Sequence, residues 1–425
     1  MKKFLPWRSL TSATLSFCYL IFIFCFLGCK KSTDPVVLKF ASWRIDDVAE
    51  MNRINALFTK SHPGITISFD AYDPTVYDGI TTNNLAAGTG ADIIFLISYD
   101  KGRALYNAGY LYDLTNIIPN RTSFAQVPLQ AWSTEAGVTY GVPSVGVTHG
   151  IYYQKSLFEK YNIQEPATWD EFIAACEKLL NGGETVIAQG TLDTWTLNRV
   201  VFCGLGANFY GGETARQALM ARTTKLTDPN FIEAFRAVES LRKYFPDGFS
   251  TLSYENSRKL FAEGKAAMFI GGSWEISAFE GLGATNSTIG WFAPPVKKSG
   301  DKLQYCFHVD AGIGLNKNSK HQQAALEYIK WVSGSEYAQS FMSELPGFFS
   351  YTPGTLTLTN PLAQKMYNAA SSADLTVRLM SEKLNAQSPT GEDLLNEALQ
   401  GMMMGSYTPE TAALYVQQQL STWYK

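Results

Sequence analysis

Apolar positions in the first third of the chain alternate between two periods. Val36 to Trp43 alternates and is β-branched at its start, which predicts a strand. From Asp46 to Ser61 the apolar residues fall at Val48, Met51, Ile54, Leu57 and Phe58, a helical spacing with acids at the front, and His62-Pro63-Gly64 stops it. Ile65 to Phe69 predicts a second strand, Tyr77 to Ala87 a second helix, and the continuous apolar run Ala91 to Ile97 a third strand. A β-α-β-α-β order calls for a parallel sheet with helices on both faces.

After Gly141-Val142-Pro143 a new set of elements begins with Val145 to Tyr153, which alternates as a strand. Thr168-Trp169-Asp170-Glu171 is a capping box, followed by Phe172, Ile173, Cys176, Leu179 and Leu180 at helical spacing. Asp228-Pro229 reads as an N-cap and first-position proline for a helix through Phe231, Phe235, Val238 and Leu241. The stretch Gly264 to Trp274 carries an apolar strand, Ala266 to Ile270, expected to leave the sheet at Gly271-Gly272. Those glycines allow a close backbone approach, and Trp274 then lies past the carboxyl end of a strand, where open sheets bind small molecules. A buried core tryptophan is the competing expectation. Ala311 to Leu315 predicts a further strand, Ser319 to Val332 a helix, and Thr408-Pro409-Glu410 the start of a final helix.

Composition narrows the class. A chain of 425 residues with 46% hydrophobic content suggests two domains, and a net charge of −3 without an internal basic run argues against nucleic acid as a partner. Nine Trp and 22 Tyr make a flat apolar ligand face plausible. Residues 1–28 read as an export signal: Lys2, Lys3 and Arg8 precede the apolar run Leu15 to Leu27. That run is short for a retained membrane span. Phe26-Leu27-Gly28-Cys29 resembles a bacterial lipoprotein signal, which would make Cys29 the acylated mature terminus. The remaining thiols, Cys176, Cys203 and Cys306, are odd in number, lack metal-type spacing and fit inert buried cysteines.

Catalytic motifs are missing: there is no Gly-x-Ser-x-Gly, phosphate loop, His-Glu-x-x-His or dinucleotide fingerprint. Ser98-Tyr99-Asp100-Lys101 matches Ser-x-x-Lys without its companion motifs. His62, His149, His308 and His321 are the four histidines and no two share a helical face, so neither a metal nor a cofactor is expected. Adjacent Tyr152 and Tyr153 could suggest iron ligands, but in a strand they point to opposite faces, which favours packing.

Taken together, His62-Pro63-Gly64-Ile65, Leu85-Ala86-Ala87-Gly88 with Ala91-Asp92-Ile93, Ala108 to Leu114, Tyr140 to Pro143, Tyr153-Gln154-Lys155, Thr168 to Glu171, Gly264 to Met268 with Gly272-Ser273-Trp274, and Gly314-Leu315-Asn316 with Asn318-Ser319 make the chain similar to family 1 extracellular solute-binding proteins. The resemblance implies a two-lobed α/β fold of the type II, maltose-binding-protein-like kind, with hinge crossovers near Gly141 to Val147 and near Asp310. Its expected divisions are a signal at 1–28, a tether at 29–35, lobe one at 36–143 and 311–345, lobe two at 148–305, and a region 346–425 packing across both. It implies a non-enzymatic, monomeric receptor of an ABC importer, exported, anchored to the cell membrane through Cys29 and facing the periplasm or exterior, that passes a saccharide to permease subunits. A non-sugar solute, or an adhesin or enzyme on the same scaffold, is the alternative. Sugars are held by aromatic faces and by carboxylates that bond paired hydroxyls. Asp100 and Trp274 match family positions for a hydroxyl and for stacking; Trp43, Asp193, Trp195, Asp310 and Phe348 are further candidates at strand ends and crossovers.

Overall fold

The computed structural model describes Met1, residues 35–354 and residues 356–425. The expected export signal and Cys29 lie outside the described residues. Nine strands form the sheet system: β1 (Val36–Ser42), β2 (Ile65–Ala71), β3 (Ile93–Ile97), β4 (Val142–Gln154), β5 (Met268–Gly272), β6 (Ile289–Phe292), β7 (Gln304–Leu315), β8 (Phe349–Ser350) and β9 (Asp374–Thr376).

The expected parallel pairing holds for β1 with β2 and for β1 with β3. It ends there, because β7 lies antiparallel to β3, from Ile93↔Leu315 to Ile97↔Ala311. β7 reaches this sheet from the second lobe rather than through a β-α-β crossover, so nothing forces it parallel. β4 runs antiparallel to β7 between Val142↔Ile313 and Thr148↔Phe307, and its far half pairs with β5 and β6. Two long strands thus run from one lobe's sheet into the other's. β4 changes register between Pro143 and Gly146, a bulge that bends and twists a strand locally. β8 pairs with β4 at Val145 and Gly146, so three segments meet at the crossing. A Cβ on Gly146 would sit 2.1 Å from the Tyr351 hydroxyl oxygen, and only glycine leaves room for that ring.

The end of β5 differs from expectation. β5 continues through both glycines, with Gly271 opposite Gly150 and Gly272 opposite His149, because backbone pairing to β4 is available to its end. Val186 to Gln189 makes only one bridge, Ile187 with Met268, beside β5.

Local signals set the helices. Thr168 and Glu171 complete both bonds of their capping box ahead of Trp169–Asn181. Pro229 opens its helix as expected, but the Asp228 carboxylate accepts from the preceding Thr224 and from Lys225 N at 3.1 Å, so it steadies the entering loop instead of the helix. Apolar faces then close on one continuous core that extends through both lobes. Leu38, Phe40, Met51, Ile54, Phe58 and Phe95 are fully interior in the first lobe, and Phe172, Cys176, Leu179, Phe231 and Phe235 in the second. Burial raises the Cys176 thiol pKa, consistent with an inert core cysteine. Tyr152 donates to Gly272 O at 2.8 Å and Tyr153 stacks on Phe158, so both tyrosines pack. The carboxy-terminal helices Gly391–Met403 and Pro409–Leu420 pack against each other and on Pro229–Ser240.

Candidate functional site

Where β3 ends, Tyr99 adopts φ 61°, a left-handed value uncommon for a bulky residue. The resulting sharp turn places Asp100 at the start of the helix Asp100–Asn107. Facing it, Leu197–Phe202 is a π-helical turn that runs directly into Cys203–Leu205 and presents Asn198 and Arg199. Arg378 to Glu392 from the tail and His308 from β7 complete the walls of a cavity of about 40 Å³. That is room for a few waters and not for a sugar ring.

Arg199 pairs with Glu392 across this space. Burial opposes ionisation of Glu392, but the Arg199 guanidinium outweighs it and holds the carboxyl at about 2. Asp100 goes the other way: burial pushes it up to about 6, only partly opposed by Arg103, and its Oδ2 has no hydrogen-bond partner.

A second group joins the lobes. Arg44, just after β1, is held by Asp47 through two bonds of 2.6 and 2.8 Å and lies 5.1 Å from the Phe348 ring centroid. Arg258, on the helix Tyr254–Ala262 of the second lobe, reaches Asp46 of the first at 2.9 Å. Tyr254 organises the aromatic residues here: Trp274 Nε1 donates to its hydroxyl at 2.7 Å, Trp195 meets its ring edge-on at 4.7 Å, and its N–H donates to Asp193 Oδ2 at 2.7 Å.

Trp274 is 8% exposed. Its ring folds back over Gly272, where an added Cβ would come within 2.0 Å of it, and it meets His149 edge-on at 5.3 Å. The close approach expected at the glycines is made at Gly272 by the ring of Trp274 itself.

Glu275, the next residue, is 0% exposed, and neither carboxylate oxygen has a partner. The nearest cation, Arg258 Nη1, is 3.9 Å away, too far for a hydrogen bond. Burial raises its pKa well above the ordinary value, with Arg44 partly opposing, which favours the neutral form of the carboxyl. His149 Nε2, His308 Nδ1, the Tyr351 hydroxyl and Arg378 Nε are likewise buried without partners. Asp310, on β7, has its pKa raised by burial against the charges of Arg378 and Arg44. Buried polar atoms are almost always bonded, and each one left unpaired costs about 1–3 kcal/mol. Three of them, on Asp100, His308 and Arg378, wall the same cavity, which could therefore exchange several hydrogen bonds with a polar guest.

The structure brings Asp100 and Asp310 into this polar zone and gathers Asp193, Trp195 and Trp274 around Tyr254. Trp43 is half-buried, edge-on to Tyr77 and tilted on Phe95, and Phe348 is 3% exposed under Arg44. Sequence reasoning missed Arg44, Tyr254, Arg258, Glu275, Arg199 and Arg378. Arg44 and Glu275 directly follow predicted aromatic candidates, which was the available signal; the others have none. Cys203 is buried, as expected, and Cys306 and His149 lie against it.

Residues 42–339 match the family described as bacterial extracellular solute-binding protein. The chain is 27% identical over 252 residues to an uncharacterized ABC transporter extracellular-binding protein of Pyrococcus horikoshii, covering 57% of this chain and 58% of that protein. It is 23% identical over 334 residues to the multiple sugar-binding protein of Streptococcus mutans, covering 74% and 76%. A solved chitin oligosaccharide binding protein superimposes with a TM-score of 0.78 at 25% identity, over 92% of this chain and 99% of the other. Among the described residues no helix is long and apolar enough to cross a membrane.

Proposed function

The chain belongs to the bacterial extracellular solute-binding protein family, and from that premise we propose that it is the receptor of an ABC importer, capturing a mono- or oligosaccharide between its lobes and delivering it to a permease. The fold and the relatives are those of non-enzymatic binding proteins. The observation that carries the reading is the set of unpartnered buried polar groups, three of which, Asp100, His308 and Arg378, wall the same cavity, together with the half-buried rings of Trp43 and Trp195. Sugar hydroxyls are both donors and acceptors, so they suit a mixture of a neutral carboxyl, carboxylates, imidazoles and a guanidinium. In this reading Asp100, Asp193, Glu275 and Asp310 bond hydroxyls. Trp43, Trp195 and Trp274 form the aromatic side, with Phe348 seating Arg44. Lobe one is 36–143 with 311–345, lobe two is 148–305, and 346–425 closes over both. Because the cavity is smaller than a pyranose, the lobes part at β4 and β7 to admit the ligand and close by binding it from both sides.

Tryptophan emission across a saccharide array tests the assignment. Saturable binding of one equivalent of a particular saccharide is expected, and a silent array with binding to amino acids or peptides would overturn it. Anchoring through Cys29 is the second part of the proposal, motivated by Gly28-Cys29 behind the apolar run. Mass spectrometry of membrane-extracted protein is expected to find an acylated Cys29; an intact Met1 terminus rules this out.

A further inference from the structure

We propose that His149, Cys203 and Cys306 form a site for one thiophilic d10 cation, zinc(II) or copper(I), which fastens the helical run Leu197–Leu205 to the two strands crossing between the lobes. The three residues lie far apart in sequence and on three elements: His149 on β4, Cys306 on β7, and Cys203 four residues after Arg199. All three are buried, and their ligand atoms lie within 4.8 Å of one another. β4 and β7 are in register immediately beside them, at Thr148↔Phe307, and Thr148 Oγ1 donates to Cys306 O at 2.9 Å, which places His149 and Cys306 next to each other across the ladder. Cys203 comes in from the helix, and a glycine makes that approach possible. A Cβ on Gly204 would lie 3.2 Å from His149 Cβ, a contact tight enough that a side chain there would have to be accommodated by small shifts.

The spacing suits a metal. Bond lengths of about 2.3 Å to sulfur and about 2.0–2.1 Å to nitrogen imply ligand–ligand edges of roughly 3.6–3.8 Å in tetrahedral geometry. His149 Nδ1 lies 3.8 Å from Cys203 Sγ. The imidazole makes no other polar contact, since its Nε2 is buried without a partner. Two sulfurs and one imidazole nitrogen are a soft donor set that selects zinc or copper(I) over hard cations such as magnesium or calcium. Binding releases the two thiol protons to solvent and leaves thiolates on the metal. A disulfide between Cys203 and Cys306 would use both sulfurs and leave His149 unpaired; a cation engages all three groups. The fastening would fix Arg199 at the cavity wall. It would also fix His149 beneath the edge of Trp274.

Titration of the purified, reduced protein with zinc(II) against a chromogenic chelator, and with copper(I) against bathocuproine disulfonate, reads the site directly. Uptake of one equivalent is expected for at least one of the two ions, and cobalt(II) as a probe should give thiolate-to-metal charge-transfer absorption. Cys203→Ser and Cys306→Ser are expected to weaken uptake by about a hundredfold or more, and Cys176→Ala to leave it unchanged. X-ray absorption on the metal-loaded wild-type protein avoids dependence on variants that fold poorly, and a shell with two sulfurs and an imidazole is the expected result. The proposal is overturned by no stoichiometric uptake, by an oxygen-only shell, by uptake that survives Cys203→Ser in folded protein, or by recovery of the protein from cells with a Cys203–Cys306 disulfide.

Discussion

Trp274→Ala is expected to lower folding stability by about 3–5 kcal/mol, the range for removing a large buried aromatic from a site that cannot collapse. The site cannot collapse because the ring fills the space above Gly272, where the backbone is fixed by pairing with His149 of β4. Truncation also leaves the Tyr254 hydroxyl without its indole donor and removes the edge contact to His149. Because Tyr254 in turn carries Trp195 and Asp193, saccharide affinity is expected to fall as well, by on the order of 2 kcal/mol or about thirtyfold. Trp274→Phe separates the two effects. It keeps an aromatic ring over Gly272 and loses the N–H, so its stability loss should be near 1 kcal/mol. Thermal midpoints without ligand and calorimetry with it are the measurements. An alanine variant that melts with the wild type would show that the ring is not structural, and one that binds normally when folded would remove Trp274 from the site.

Where the sequence was readable, the signals were local. The first three strands, their two helices and the Thr168 capping box followed from periodicity and capping chemistry, which act over a few residues. The antiparallel entry of β7 beside β3 was not readable, because it depends on a strand arriving from the other lobe more than two hundred residues later. The candidate site divides in the same way. Asp100 and Trp274 stand where strands end, and strand ends can be read from patterns. Arg258 lies on a helix whose apolar pattern says nothing about Asp46 across the cleft, and Arg378 belongs to a loop of the tail with no periodicity at all. Gly271-Gly272 was correctly singled out as a place of close approach. What approaches is a ring two residues further on, a fact of folding back that spacing cannot express. The cluster of His149, Cys203 and Cys306 escaped for a related reason: metal-type spacing is a pattern within one element, and these residues come from three.

In the proposed function the buried, unpartnered carboxyl of Glu275 is one of the ligand's hydrogen-bonding partners. Its folded-state pKa lies above the unfolded one, so the stability linked to its neutral form is fully present below the unfolded value of about 4.3 and is lost as pH rises toward and through the folded value. Glu275→Gln keeps the shape and cannot ionise. The unliganded variant is therefore expected to be more stable than the wild type at pH 7, with a flatter dependence on pH. If the carboxyl instead serves the ligand, that gain comes with weaker binding, the trade-off expected where a strained polar group is kept for function. The deciding measurement is calorimetric titration of the saccharide found on the array into wild-type and Glu275→Gln protein at pH 7. At least a tenfold loss of affinity, about 1.4 kcal/mol, is expected in a variant that melts higher. Unchanged affinity in that more stable variant would contradict it.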